Sequence, residues 1–267
     1  MANQKAVTAL MIGDVSGTSG LAVLERLLPE LIREYAADLT VVNGENAADG
    51  FGITEAVLNQ MLSSGADIVT SGNHVWEKRD FWPVMDNSEQ IIRPANYPAG
   101  VPGRGWAKIN KNGINWLIIN LQGRDMMSSI NCPFKAFDEI FSNQIADNPE
   151  SPLLTLVDFH AEANREKEAL AYYLDGRAAV IAGTHTHVQT ADERLLPKGS
   201  AYISDLGMTG STKSIIGMDI GICLKRMKTQ VPLRMECAQE EAAVQGIAVK
   251  IDSETGKALL IQTFNRS

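Results

Sequence analysis

The sequence predicts an α/β fold, because short apolar segments alternate with helical segments along most of the chain. Its 267 residues and 29.0 kDa suit a single domain that covers residues 1–267. Hydrophobic residues make up 45% of the sequence and charged residues 21%, a globular composition that excludes a disordered chain. The alternation predicts a mainly parallel sheet with both of its faces covered.

Short apolar runs that end at polar or glycine-containing segments predict the strands. In the first half of the chain these runs cover residues 6–12, 39–42, 67–70 and 116–121. In the second half they cover residues 153–159, 178–182, 201–204, 243–251 and 258–264. The last two runs flank a turn at residues 253–256, which gives the C-terminal part of the chain the character of a β-hairpin.

Helical periodicity and residues typical of helix ends predict four helices. In the first helix, which contains Pro29 as a residue that can produce a kink, apolar residues recur every three or four positions: Leu21, Leu24, Leu28, Leu31 and Tyr35. Thr54 is expected to cap the second helix, and Gly65 is expected to close it. The third helix, Pro133–Ala146, begins with proline, and Asn164 is expected to cap a fourth helix that continues to residue 175.

The net charge and the cysteine content indicate which partners the protein can bind and in which cellular compartment it is expected. The formal net charge of −8 argues against binding a nucleic-acid polymer, whose phosphates require many lysines and arginines. Three widely spaced cysteines, Cys132, Cys223 and Cys237, indicate neither a disulfide framework nor a zinc knuckle. The N-terminus does not resemble a signal peptide, and no apolar stretch approaches the ~20 residues of a membrane span. We therefore expect a cytoplasmic protein without a membrane partner.

Polar residues follow five of the predicted strands at their carboxyl ends. These segments are Gly13-Asp14, Gly44-Glu45-Asn46, Gly72-Asn73-His74, Asp158-Phe159-His160 and Gly183-Thr184-His185-Thr186-His187. All four histidines of the chain fall in three of these segments. Because sites in open α/β sheets form at the carboxyl ends of strands, we expect these side chains to converge on one edge of the sheet.

The side chains collected in this way suit two divalent cations. One aspartate, one glutamate, two asparagines and four histidines match the preferences of iron, manganese or zinc, and a carboxylate can bridge two ions. Each segment alone has a commoner explanation, such as a capped turn, a loop or a solvated pair of histidines. Structural roles alone do not readily explain why all four histidines follow predicted strands.

The order of these motifs resembles that of the calcineurin-like metallophosphoesterases. The resemblance is closer to the YmdB-like branch, bacterial 2′,3′-cyclic nucleotide phosphodiesterases, and it extends from residue 13 to residue 218. The longer segments that match this branch are residues 42–50, 157–163, 183–193 and 205–210. The resemblance implies a four-layer α/β/β/α sandwich of the metallophosphoesterase type and a homo-oligomeric assembly.

The resemblance also implies a role for each strand-end residue. One metal would be held by Asp14, Glu45, Asn46 and His187, and the second by Glu45, Asn73, His160 and His185. Glu45 would bridge the two metals, and His74 would bind neither. The sequence departs from the wider superfamily because Ser16 stands where the usual Asp-x-His motif has histidine, and Glu45 replaces the usual bridging aspartate. The YmdB-like branch shows the same two substitutions.

The function implied by the resemblance is hydrolysis of 2′,3′-cyclic nucleotides, such as 2′,3′-cAMP, to nucleoside monophosphates. A hydroxide bridging the two metals would attack phosphorus, and His74 would protonate the leaving ribose oxygen. Iron or manganese is the expected metal, with zinc as the alternative. Two other functions fit the same side chains: a regulatory or scaffold protein whose metal site turns over little, and a phosphomonoesterase or protein phosphatase on the same fold.

Three further features have both a functional and a structural interpretation. Arg124 could contact phosphate or lie on the surface, and Glu162 could orient His160 from behind. Three aromatic residues that follow His74 could stack on a base or pack against the core: Trp76, Phe81 and Trp82.

Overall fold

The computed structural model describes residues 6–146 and 152–267. Its strands are β1 (Ala6–Ile12), β2 (Asp14–Val15), β3 (Leu39–Asn43), β4 (Ile68–Thr70), β5 (Trp106–Lys111), β6 (Ile114–Gln122), β7 (Leu153–His160), β8 (Val180–Thr184), β9 (Arg194–Leu195), β10 (Ala201–Ile203), β11 (Met208–Ser211), β12 (Ala242–Asp252) and β13 (Ala258–Arg266). Its helices are α1 (Gly17–Tyr35), α2 (Glu55–Ser63), α3 (Trp82–Asn87), α4 (Pro133–Ala146), α5 (Asn164–Leu174) and α6 (Ile220–Thr229), with a 3₁₀ turn at Arg79–Phe81. Among the described residues, no helix has both the length and the apolar character needed to cross a membrane.

The strands form two mixed sheets. The first sheet has the order β2-β11-β12-β1-β3-β4, with β13 paired to β12. The second sheet has the order β5-β6-β7-β8-β10-β9. The expected parallel arrangement holds for the central strands, namely β1, β3 and β4 in the first sheet and β6, β7, β8 and β10 in the second. Antiparallel neighbours flank them, because β12 runs against β1, β5 against β6, and β9 against β10.

The two sheets pack face to face between two layers of helices. Met11 of β1 and Ile118 of β6 belong to the apolar core between the sheets. The neighbouring residue Leu10 points the opposite way and packs with residues of α1 and α2, while Leu117 packs with residues of α4 and α5. Successive side chains of a strand point to opposite faces, so each sheet has two buried faces. The molecule is therefore the expected four-layer α/β/β/α sandwich.

Most predicted elements lie where the sequence places them. β1 and α4 have the predicted bounds, and every other predicted strand agrees at both ends to within about two residues. Thr54 caps α2, since its hydroxyl accepts a hydrogen bond from Val57 N–H at 3.3 Å, and Gly65 follows the end of that helix with φ of +117°. The predicted cap at Asn164 is wrong. Asn164 is the first residue of α5, and the preceding Ala163 provides no side-chain cap.

Candidate metal centre

The eight strand-end residues lie in one cluster at the carboxyl ends of the central strands. The first sheet contributes Asp14, Glu45, Asn46, Asn73 and His74, which follow β1, β3 and β4. The second sheet contributes His160, which ends β7, and His185 and His187, which follow β8. The sequence predicts that these residues converge on one edge of one sheet. The structure instead brings together the carboxyl ends of strands from both sheets.

His160 Nε2 lies at the centre of the first group of candidate ligands. It is 2.9 Å from Glu45 Oε1 and 3.1 Å from Asn73 Oδ1. Its third neighbour, at 3.0 Å, is His185 Nδ1. The ligand atoms of Glu45, His160 and His185 all lie within 4.8 Å of one another. One carboxylate, one amide and two imidazoles can therefore reach the same cation.

The second group of candidate ligands shares Glu45 with the first. Asn46 Nδ2 lies 3.0 Å from His187 Nε2 and 3.3 Å from Glu45 Oε1. Asp14 Oδ1 lies 4.0 Å from His187 Nε2 and 3.8 Å from His160 Nδ1. An amide binds a metal through its oxygen, and a half-turn of the Asn46 amide places Oδ1 where Nδ2 lies. Glu45 thus lies between the two groups of candidate ligands.

Hydrogen bonds fix which nitrogen of His160 faces this cluster. His160 Nδ1 lies 2.9 Å from Thr184 Oγ1, whose single proton is donated to Asp158 Oδ1 at 2.7 Å. Thr184 must therefore accept from His160, so Nδ1 carries a proton and Nε2 faces the candidate ligands. Asp158 also accepts hydrogen bonds from Thr70 and Asn43, and all of these residues are buried. No motif in the sequence assigns Thr184 this role.

Groups on their outer sides orient the other two histidines of the cluster. His187 Nδ1 donates to the carbonyl oxygen of Ile216 at 2.9 Å, which leaves Nε2 for the cluster. His185 Nε2 lies 3.2 Å from Glu162 Oε2, which leaves Nδ1 for the cluster. Glu162 therefore orients His185 and not His160, which corrects the expectation from the sequence. An acceptor behind a ligating imidazole fixes its tautomer and raises its basicity.

Opposite charges shift the pKa values of groups in this buried cluster. Burial acts to raise the pKa of Glu45, but the nearby histidines His160, His74 and His185 together outweigh it and lower that pKa to about 2. Burial acts to lower the pKa of His160, but the carboxylates of Glu45, Asp14 and Asp158 together outweigh it and raise that pKa to about 9. Burial together with the charge of His160 lowers the pKa of His185 to about 3. Glu45 therefore carries a negative charge that stabilises positive charge at this position.

Two observations show that the residues of this cluster fit metal ions. Asp14 Oδ1 is buried and has no hydrogen-bond partner among residues 6–146 and 152–267, and burial raises the pKa of Asp14 to about 7 despite the nearby histidines. Burying such an oxygen is costly unless a positive group faces it. A Cβ atom at Gly72 would collide with Glu45 Oε2 and His160 Nε2, so glycine leaves this space open. Carboxylate, amide and imidazole groups are also the ligands that iron, manganese and zinc accept.

His74 lies at the margin of the cluster, and its ring contacts residues outside the candidate ligands. Its backbone N–H donates to Glu45 Oε2 at 3.2 Å, and its Nδ1 lies 3.5 Å from Glu77 Oε1. The ring packs edge-on against Phe51, with ring centroids 5.0 Å apart. The His74 side chain is 28% exposed, so a substrate in the cleft can reach it. Phe51 carries no sequence motif, and its position beside His74 follows only from the fold.

The other sequence candidates contact neighbouring residues of the fold. Arg124 is exposed, and its Nη2 lies 3.6 Å from Cys132 Sγ. Phe81 is buried in the core beneath the helices of the first sheet. Trp76 and Trp82 pack edge-on against each other, with ring centroids 6.0 Å apart. These contacts favour the structural interpretation of Arg124 and of the aromatic residues.

The fold and the cluster together define the class of this protein. The buried carboxylate, amide and imidazole groups at the strand ends of this four-layer sandwich form a candidate metal centre of the kind that phosphate-ester hydrolysis uses. The chain belongs to the YmdB-like family, whose model, described as YmdB-like protein, matches residues 10–264. A relative from Bacillus subtilis (strain 168), named 2′,3′-cyclic-nucleotide 2′-phosphodiesterase, is 44% identical over 253 residues, which are 95% of this chain and 94% of the relative.

Two solved structures share this architecture over nearly the whole chain. A crystal structure of a hypothetical protein from Thermus thermophilus has a TM-score of 0.87 and 38% identity, and the match covers 97% of this chain and 98% of that chain. A crystal structure of a novel phosphatase from Mycoplasma pneumoniae has a TM-score of 0.90 and 30% identity, and the match covers 98% of this chain and 94% of that chain. Together with the family membership, these similarities identify the chain as a hydrolase of phosphoric esters.

Proposed function

We propose that this protein is a dinuclear-metal phosphodiesterase that hydrolyses 2′,3′-cyclic nucleotides, such as 2′,3′-cAMP, to nucleoside monophosphates. The observation that carries the proposal is the convergence of Glu45, Asn73 and His185 on His160 Nε2, beside Asp14, whose Oδ1 has no hydrogen-bond partner among the described residues. The name of the Bacillus subtilis relative supports the class of substrate.

The two groups of ligands are proposed to hold one metal ion each. Asp14, Glu45, Asn46 and His187 form the first set, and Glu45, Asn73, His160 and His185 form the second. Glu45 belongs to both sets because its carboxylate lies between them. Iron or manganese is the proposed metal, with zinc as the alternative, since all three accept mixed oxygen and imidazole ligands. When bound, such a pair of ions polarises the phosphate and activates water.

His74 is proposed to act as the general acid that protonates the leaving ribose oxygen. It follows the proposed ligand Asn73, its side chain is partly exposed, and it stands outside both ligand sets. Its backbone contact with Glu45 and its ring contact with Phe51 hold it next to the cluster. By analogy with the name of the Bacillus subtilis relative, we propose that the bond to the 2′ oxygen breaks and that the phosphate stays on the 3′ oxygen.

The proposed compartment is the cytoplasm, and the proposed partner is a small molecule. The three cysteines are free thiols, which a reducing compartment maintains. The net charge of −8 favours a small nucleotide, whose phosphate can meet metal ions, over a nucleic-acid polymer. Homo-oligomerisation and the lack of a membrane partner stay predictions.

Hydrolysis of 2′,3′-cAMP by protein reconstituted with Mn²⁺ tests the proposal, with products separated by chromatography. Wild-type protein is expected to release 3′-AMP. Glu45→Gln keeps the shape of the side chain but removes the charge that both ligand sets share. Turnover should therefore fall by at least about 100-fold, since changes behind a ligand alone cost about 10–100-fold. Glu34→Gln, the same change at a residue near the end of α1 that pairs with Arg266, should leave turnover unchanged.

Each alternative function predicts a different result. Protein that binds Mn²⁺ but does not hydrolyse any phosphate ester would support a regulatory or scaffold role. Hydrolysis of p-nitrophenyl phosphate without hydrolysis of 2′,3′-cAMP would support a phosphomonoesterase. Release of 2′-AMP would leave the substrate class in place and overturn the choice of bond.

A further inference from the structure

A buried ion pair lies behind the segment that contains His185 and His187. Lys167 Nζ on α5 lies 2.8 Å from Asp205 Oδ2, in the segment between β10 and β11. The Lys167 side chain is 1% exposed and the Asp205 side chain is 0% exposed. Removing two charges from water is expensive, and their mutual attraction often does not offset that cost. A fully buried pair of this kind therefore invites a functional explanation.

The carboxylate of Asp205 holds the residue between the two histidines. Asp205 Oδ2 accepts a hydrogen bond from Thr186 N–H at 3.0 Å and another from Thr186 Oγ1 at 2.8 Å. Its other oxygen, Oδ1, accepts from Gly207 N–H at 2.9 Å. The carbonyl of Gly207 in turn accepts from Asp14 N–H at 3.2 Å. One carboxylate thus ties the two-histidine segment to the chain that contacts Asp14.

The two-histidine segment needs such support because its backbone is strained. His185 has φ of +98° and His187 has φ of +63°, a region that residues with a side chain seldom adopt. Such conformations persist only where the surrounding structure enforces them, and they occur often at functional sites. Thr186 lies between these two residues, so its two hydrogen bonds to Asp205 restrain both of their backbones.

Lys167 supplies the opposite charge that the buried Asp205 requires. The structure makes room for its side chain at Gly183 of β8, where an added Cβ would lie 3.0 Å from Lys167 Cδ and would collide with the Ser204 carbonyl. Without the ammonium group, the cost of burying the Asp205 carboxylate would be offset by hydrogen bonds alone. Asp205 would then no longer favour the position in which it accepts hydrogen bonds from Thr186.

We propose that Lys167 is a positioning residue that, through Asp205 and Thr186, holds His185 and His187 in the geometry for binding metal. Among the described residues, neither side chain of the pair is hydrogen-bonded to a proposed metal ligand, and we expect the pair to act through the backbone of the two-histidine segment. The part of the inference that concerns metal binding rests on the proposed function. The part that concerns the positions of His185 and His187 can be measured without metal.

Lys167→Met tests the proposal, because methionine approximates the length of lysine without its charge. Calorimetric titration with Mn²⁺, below the melting temperature of each variant, should show affinity reduced about 10–100-fold, the usual effect of losing an outer partner of a metal site. Lys111→Met is the matched control. This substitution breaks an ion pair of 2.7 Å between Lys111 and Asp67. Asp67 precedes β4, whereas the candidate metal centre lies at the other end of that strand, so Mn²⁺ affinity should stay unchanged.

Histidine NMR provides a readout that does not depend on metal. The chain has only four histidines, so their ¹⁵N imidazole resonances can be assigned by substitution. Lys167→Met should shift the resonances of His185 and His187 and leave that of His74 unchanged. Thr186→Val, which removes one hydrogen bond to Asp205 and leaves the ion pair intact, should shift the same two resonances and lower Mn²⁺ affinity about 10-fold.

Several outcomes would overturn the proposal. Folded Lys167→Met with wild-type Mn²⁺ affinity and wild-type histidine resonances would show that the ion pair serves stability alone. If Lys167→Met does not fold, unchanged resonances and affinity in Thr186→Val would lead to the same conclusion. Wild-type protein that binds no Mn²⁺ would overturn the proposed metal centre, and the histidine resonances would still decide the positioning role.

Discussion

Gly72 illustrates how one residue without a side chain shapes the candidate metal centre. It directly precedes Asn73, and an added Cβ would collide with Glu45 Oε2 and His160 Nε2. The requirement for glycine is steric, since Gly72 does not have a left-handed backbone. Glu45 and His160 can approach each other to 2.9 Å only because this space stays open.

We expect Gly72→Ala to displace Glu45 or His160 and to weaken Mn²⁺ binding by at least about 10-fold, as measured by calorimetric titration. Gly221→Ala in α6 is the matched control, because the nearest atom that its added Cβ meets among the described residues is Asp219 Oδ1 at 3.3 Å. The control should retain wild-type affinity. Wild-type affinity in Gly72→Ala as well would show that the cluster tolerates the methyl group.

At His74, substitution separates proton donation from metal binding. His74→Ala should retain its metal but lower kcat for 2′,3′-cAMP about 10²–10⁴-fold, the usual contribution of a positioned general acid. A nitrophenyl phosphodiester needs little protonation of its leaving group, so its hydrolysis should slow far less. Asn73→Ala removes a proposed ligand and should instead lower the metal content. Loss of metal in His74→Ala, or equal slowing of both substrates with metal retained, would contradict the general-acid role.

The sequence predicts the candidate ligands at this scale but not the groups that orient them. The eight residues lie within about five positions of the ends of apolar runs, and that pattern is visible without knowledge of the fold. The contact of Thr184 with His160 depends on the parallel register of β7 and β8. The contact of Ile216 with His187 uses a backbone carbonyl, which every residue has. Neither contact leaves a signal in residue type or spacing.

At the scale of elements, length and burial decide what the sequence can predict. β2 and β9 contain only two residues each, too few for any periodicity. β5 lies at the edge of the second sheet and is only partly buried, so its apolar alternation is weak. Cys223 is the one buried residue of α6, so the apolar residues of this helix do not form a continuous face that packs against a core. The pairing of β1 with β12 joins distant segments and is not encoded in local pattern.

The N-cap of α2 allows the stability of one element to be measured away from the cluster. Thr54→Ala removes the acceptor for Val57 N–H and should lower the free energy of unfolding by about 1 kcal/mol in urea denaturation. Ser63→Ala is the control at the other end of α2, where an exposed hydroxyl donates to Gln60 O. It should change stability by less than about 0.5 kcal/mol. Equal losses in both variants would argue against a specific contribution of the cap.

At the scale of the whole molecule, the candidate metal centre joins the two sheets. Asp14 and Glu45 extend from the first sheet, whereas His160 and His185 extend from the second. His185 N–H donates to Asp14 Oδ2 at 3.2 Å, although 171 positions separate the two residues in the sequence. A cation held by residues of both sheets would bind the folded chain and not the unfolded one, and would stabilise the whole fold.

Chelation should therefore lower the stability of the whole molecule. At free Mn²⁺ about 100 times its Kd, binding contributes about 3 kcal/mol, which raises Tm by about 5–10 °C for a chain of this size. Thermal melts of wild-type protein with Mn²⁺ and with EDTA, followed by circular dichroism, measure the difference. Glu45→Gln should show a much smaller difference, because it removes the charge shared by both ligand sets. Equal wild-type melting temperatures, with metal removal confirmed by elemental analysis, would contradict a metal centre assembled from both sheets.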